Sequence, residues 1–168
     1  MSLLTLVDSV AQKIQDTPLA QWISTSPTAF PTIETIHVIC MTLVVGTISI
    51  LDLRLLYAAS RTRSVRAISN DILPFTWGSF VLAVITGLLL FTSKATEYVE
   101  NWPFRLKMLM MACAGVNMLI FHFTTYGTVE GWNLGVAPPL RARVSAALSL
   151  TFWALVIICG RWIGFTVR

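Results

Sequence analysis

Residues 33–58 read IETIHVICMTLVVGTISILDLRLLYA. Glu34 and His37 sit near the start of this stretch and Asp52 and Arg54 near its end; no ionisable side chain other than Cys40 lies between His37 and Asp52. A helix that crosses lipid needs roughly 20 consecutive, mostly apolar residues. This stretch meets that requirement and predicts a transmembrane helix over about Ile33–Ala58.

Three further stretches qualify, over about Leu73–Ser93, Phe104–Tyr126 and Val144–Phe165. The predicted fold is therefore all-α, an integral membrane four-helix bundle. Of the 168 residues 55% are hydrophobic and 12% charged, against about 25% charged in a soluble domain. The formal net charge is +4, but most Arg and Lys residues flank apolar runs. That pattern points to membrane topology and the lipid bilayer rather than to nucleic acid.

Ahead of the first span, Leu3, Leu6, Val7, Val10 and Ile14 recur at helical spacing, with Asp8, Gln12, Lys13, Gln15 and Asp16 mainly opposite. This reads as an amphipathic helix, lying in the interface or packed on a partner subunit. Pro18, Pro27 and Pro31 are expected to break the chain after it. The domains read as 1–30, interfacial helix and linker, and 31–168, the four-span domain. The polar residues of the first segment do not suit a signal peptide.

Arg61, Arg63 and Arg66 follow span one, and Arg141 and Arg143 precede span four. By the excess of arginine this end is expected to be cytoplasmic, with both termini outside. Trp102, Trp132 and Trp162 fall near span ends and read as an aromatic belt. Cys40, Cys113 and Cys159 lie in apolar runs without a CxxC pair, so neither a disulfide framework nor a zinc site is signalled. Gly127–Gly135 reads as a turn-rich loop, not a phosphate loop. No Ser-His-Asp set, paired carboxylates or HExxH supports hydrolysis.

Ionisable residues inside a membrane are functional candidates by default. His37, Arg105, Lys107 and Arg161 share the outer side; Asp52, Arg54 and His122 lie at the inner side. His37 and His122 should stand about 20 Å apart along the membrane normal, so one haem iron cannot take both, and His122 would hold a separate metal or do something else. An outer haem site would use the His37 imidazole as axial ligand. Arg105, Lys107 or Arg161 would pair the propionates, and either Met108, Met111 or Lys107 would be the sixth ligand or the position would stay open for chemistry. Gly46 and Gly87 would let the macrocycle approach the backbone. Copper is an alternative, since His37, Cys40 and Met41 precede Met108, Met110 and Met111 at similar depth and soft sulfur ligands suit Cu(I). Without a cofactor, His37 would hydrogen-bond a neighbouring helix and the cations would snorkel. Asp52 is expected to pair with Arg141 or Arg143, or to act as an interface anchor. Asn117 is expected to bond across helices, and the small residues Ser79, Ala83, Thr86 and Ser93, with Ser145 and Ser149, to serve close packing.

The segments IHVICMTLVVGTISILDLRLLYAA, RAISNDILPFTWGSFVLAVITGLLL and NWPFRLKMLMMACAGVNMLIFH carry a further signal. A histidine opens span one and Leu-Arg-Leu closes it; a proline opens span two and Thr-Gly-Leu closes it; Trp, Lys and a late His mark span three. This order resembles the superfamily of small bacterial four-helix membrane proteins that includes HemJ-type protoporphyrinogen oxidase and the copper-resistance CopD domain, and uncharacterised families related to them. The resemblance covers spans one to three. It implies a b-type haem on His37, a lysine needed for activity at Lys107, and a place in the bacterial plasma membrane. It further implies electron exchange with quinone or a redox protein, or oxidation of a tetrapyrrole held by Lys107 or Arg105. The helix before span one and the Cys40-Met41 pair depart from that pattern. A copper-handling protein, and a cofactor-free subunit of a homo-oligomer or larger complex, remain alternatives.

Overall fold

The computed structural model describes residues 3–167, and side-chain surroundings from residue 6 onward. The chain is all-α, and no strand occurs among the described residues. Two short helices, α1 (Leu3–Gln15) and α2 (Pro18–Thr25), precede four long ones: α3 (Ala29–Leu55), α4 (Val65–Ser93), α6 (Trp102–Ile120) and α7 (Leu140–Thr166). A short helix, α5 (Ala95–Glu100), joins α4 to α6. All four long helices are long and apolar enough to cross a membrane, the third counted through Gly131. At 1.5 Å per residue each long helix other than α6 is about 40 Å, more than the roughly 30 Å hydrocarbon core. Their outward faces carry Leu43, Ile50, Phe75, Leu88, Phe123 and Ile158, all exposed, as a lipid-facing surface requires. The multi-pass membrane architecture follows.

Helix α4 begins eight residues before the predicted span because Ser64 caps it, accepting from Ala67 N–H at 3.1 Å. The chain breaks after α1 as expected, but Pro18 does not lead into an irregular linker. It opens α2, with Thr17 accepting from Ala20 N–H, since a proline in the first turn forfeits no helical hydrogen bond. The predicted loop after span three is also more ordered than expected. Helix α6 runs into a π turn over Phe121–Thr125 and a 3₁₀ turn over Tyr126–Gly131.

Helix α3 packs along α4, and α6 along α7; the two hairpins meet chiefly through α3 and α7. A central apolar layer of Val44, Ala114, Trp153 and Val156 holds them together, with Met41, Phe80, Met110, Met111 and Phe152 against it. At the arginine-rich end a second layer contains Leu55, Val65, Val129, Trp132, Ala142 and Ala146. Trp132 is only 6% exposed there and its indole N–H donates to Thr128. It is a core residue and not part of an aromatic belt, whereas Trp102 and Trp162 are exposed.

Arg54 ties this end together. It is 0% exposed; its Nε donates to Arg63 O at 2.9 Å and its Nη2 to Asn133 O at 3.2 Å. One side chain thus clamps both connections, α3–α4 and α6–α7. Asp52 is 5% exposed but in no ion pair among the described residues, and its Oδ2 has no hydrogen-bond partner. The expected pairing with Arg141 or Arg143 is not made: both arginines are exposed. Asn117 does bridge helices. Its Nδ2 donates to Ser145 O at 3.0 Å, and Ser145 Oγ donates back to its Oδ1 at 3.1 Å.

Candidate functional site

His37 lies two turns into α3, in the half of the molecule opposite the arginine cluster. Its Nδ1 is 2.9 Å from Ala83 O and 3.1 Å from Thr86 Oγ1, both on α4. A carbonyl only accepts, and the Thr86 hydroxyl already donates to Leu82 O at 2.8 Å. The proton is therefore on Nδ1, which shares it between the two oxygens. In the neutral ring this fixes the tautomer and leaves Nε2 with a free lone pair. Nε2 makes no hydrogen bond among the described residues.

The ring lies against Gly87. A Cβ at that position would stand 3.0 Å from His37 Cε1 and 3.5 Å from Nδ1, so the missing side chain makes room for the imidazole itself. Gly46 borders open space instead. Across the interior, the Lys107 ammonium approaches Gly160 on α7, where a Cβ would be 3.8 Å from Nζ. Lys107 has no ion pair or hydrogen bond among the described residues. Phe91, one turn from Gly87, stacks on Phe104, one turn from Lys107, so His37 and Lys107 stand at one depth.

Helical spacing places this polar layer between two others. Met41, Ala83, Met111 and Val156, one turn from His37, Gly87, Lys107 and Gly160 respectively, belong to or adjoin the central layer. On the other side, Phe91 lies one turn from Gly87, and Phe104 one turn from Lys107. Phe91 stacks on Phe104 with centroids 5.6 Å apart, and Tyr98 joins both at 6.1 and 5.4 Å. The polar layer is thus roofed by aromatic rings and floored by apolar side chains. All four long helices contribute to it.

Other candidate residues lie elsewhere. Arg105 is exposed and its Nε donates to Val99 O at 2.6 Å. Arg161 is exposed and lies 4.9 Å from the Phe165 ring centroid. Both cations sit at the surface, as snorkelling residues do. Met111 packs in the central layer and Met108 is exposed. His122 is exposed on the π turn, stacked on Tyr126 at 5.7 Å. At 1.5 Å per residue it is about 22 Å further along its helix than Lys107. The fold brings together His37 and Lys107 and keeps His122 away. No group of three or more His, Cys, Asp or Glu side chains suited to a metal ion occurs among the described residues.

Three contributors were hidden in the sequence. Ala83 and Thr86 read there as packing residues, yet they supply the acceptors for His37. Gly160 read as nothing in particular, yet it faces the Lys107 ammonium. The one available signal was the Thr86-Gly87 pair, a hydroxyl and an absent side chain on adjacent positions.

Residues 23–166 match the model of the family of unknown function DUF6644. The chain belongs to this family. The matched region of this DUF6644 chain holds all four long helices, His37 and Lys107. No curated protein and no solved structure matches it.

Proposed function

We propose that this DUF6644 chain is a membrane b-type haem protein working in electron transfer or oxidation, with the iron on His37 Nε2. The observation that carries the reading is the fixed imidazole: Nδ1 is anchored on Ala83 O and Thr86, while Nε2 is free at the depth of an unpaired Lys107. Ligating histidines commonly donate their second nitrogen to a carbonyl, which sets ring orientation and raises ligand basicity. The residues present fit the group in donor chemistry, since a neutral Nε2 suits iron and an ammonium suits a propionate or a substrate carboxylate. When bound, the haem would supply one-electron redox chemistry.

The chain's own part is binding and electrostatics. His37 orients the ligand nitrogen. Lys107 places a positive charge in a poorly hydrated layer, where charge acts strongly and favours an anion or an added electron. Phe91, Tyr98 and Phe104 hinder water at one end. The resemblance to the HemJ-type superfamily supports the same pair of residues, and an oxidation of a tetrapyrrole would use Lys107 on its carboxylates. Quinone or a redox protein would exchange the electrons. Copper handling is less well served, because Met41 and Met111 are engaged in core packing. In a cofactor-free subunit of a larger complex, the His37 bond to Ala83 O would serve as a helix-to-helix link and Nε2 would have no role.

The test is the visible spectrum of protein purified from haem-replete membranes. The wild type is expected to show a Soret band, His37→Ala to lose it, and His122→Ala to keep it. A colourless, folded wild type refutes the proposal.

A further inference from the structure

The arginine-rich end carries more charge than it can neutralise internally. Asp71 is taken by Arg63 at 2.6 Å, and Glu130 by Arg66. Arg61 lies on the Tyr57 ring, 4.5 Å from its centroid, and its Nε donates to Tyr57 O. Arg54 is buried and donates to two carbonyls. Asp52 is buried away from all of them. Arg141 and Arg143 are left exposed, with no acidic or carbonyl partner among the described residues.

Beside Arg141 is a groove of about 360 Å³ between α6, the π turn and α7. Arg141 stands at its lip. Ile120, Leu140, Val144 and Leu148 form its walls, and Thr124 lines it from the π turn. The π turn is a break in helical regularity of the kind that recurs at functional positions. An uncompensated guanidinium, that of Arg141, beside an apolar trough describes a ligand with an anionic head and a hydrocarbon tail.

We propose that this groove is a binding site for an anionic phospholipid, its phosphate on Arg141 and an acyl chain along Val144 and Leu148. Guanidinium matches phosphate in charge and in fork geometry. The length of the apolar wall from Leu148 to Leu140, about 12 Å at 1.5 Å per residue, suits the upper part of one acyl chain. This site lies at the end away from His37 and does not depend on the haem reading.

The experiment is native mass spectrometry of the intact protein released from nanodiscs of equal phosphatidylglycerol and phosphatidylcholine. Retained phosphatidylglycerol is expected to exceed phosphatidylcholine, and Arg141→Gln to cut that preference about fivefold, the worth of one basic residue at a lipid surface. Leu148→Trp, which fills the trough, should lower retention of both lipids. Arg61→Gln, already engaged on Tyr57, should leave the preference unchanged. Equal retention of the two lipids by the wild type, or an equal loss in Arg61→Gln, overturns the site. Stabilisation of detergent-solubilised protein by inorganic phosphate as large as that by phosphatidylglycerol would overturn the lipid as its ligand.

Discussion

Gly87→Ala separates the stability of the bundle from the integrity of the His37 layer. The new methyl carbon would stand 3.0 Å from His37 Cε1, closer than carbon atoms comfortably approach, so the ring must move by a few tenths of an ångström. Its 2.9 Å bond to Ala83 O and 3.1 Å contact with Thr86 then stretch or break. One neutral hydrogen bond is worth about 1 kcal/mol. Replacing a helical glycine by alanine returns about 1 kcal/mol of helix propensity. The two nearly cancel, so thermal stability should change by less than about 1 kcal/mol. The ligand nitrogen, however, is displaced, and loss of an outer-shell partner costs roughly 10–100-fold in metal affinity. Haem affinity, read by Soret titration of the purified variant, should fall by that order at nearly constant melting temperature, and the haem retained on purification should fall with it. Gly46→Ala, with nothing within 4 Å of the new carbon, is the control and should keep full occupancy. Equal haem content in wild type and Gly87→Ala would refute the argument that Gly87 seats the imidazole.

Other outcomes follow from the same geometry. Arg54→Ala should destabilise the bundle by more than about 3 kcal/mol, measured by denaturant titration in detergent, because two buried charge-assisted bonds are lost and both connections are released. Asp52→Asn should alter stability by less than about 1 kcal/mol in the same assay, since the carboxyl has no ion partner; a loss of 3–5 kcal/mol would reveal a buried pair. Asn117→Ala should cost about 1 kcal/mol, two membrane interhelical bonds at about 0.6 kcal/mol each. Burial among Phe91 and Phe104 pushes the Tyr98 phenol above its ordinary range, and Glu34 and Glu97 push it further. A raised phenol contributes stability that is present below the unfolded pKa of about 10 and is lost as pH rises through the folded one. An alkaline absorbance titration should show Tyr98 ionising later in the wild type than in Glu34→Gln.

The four spans were legible because lipid imposes a length of apolar chain that no soluble helix needs, and 33–58 meets it openly. Their ends were less so. The start of α4 rests on Ser64 capping Ala67, and the order beyond Phe121 on Val129 and Trp132 being buried, neither of which periodicity reveals. Asp52 illustrates the limit of pairing by sequence: charges near one another in depth need not face one another around the helix axis. The depth argument, which set His37, Arg105 and Lys107 on one side and His122 on the other, used only the rise per residue. That Arg105 and Arg161 sit at the surface depends on helix rotation, which four nearly uniform apolar faces leave undetermined.

The most direct test of the central claim is a dithionite-reduced-minus-oxidised absorption spectrum of wild-type protein purified from haem-replete membranes. A reduced α-band with a shifted Soret maximum, at about one haem per chain, is the result predicted for iron on His37 Nε2. A flat difference spectrum from folded protein would contradict it and leave His37 as a helix-to-helix hydrogen bond.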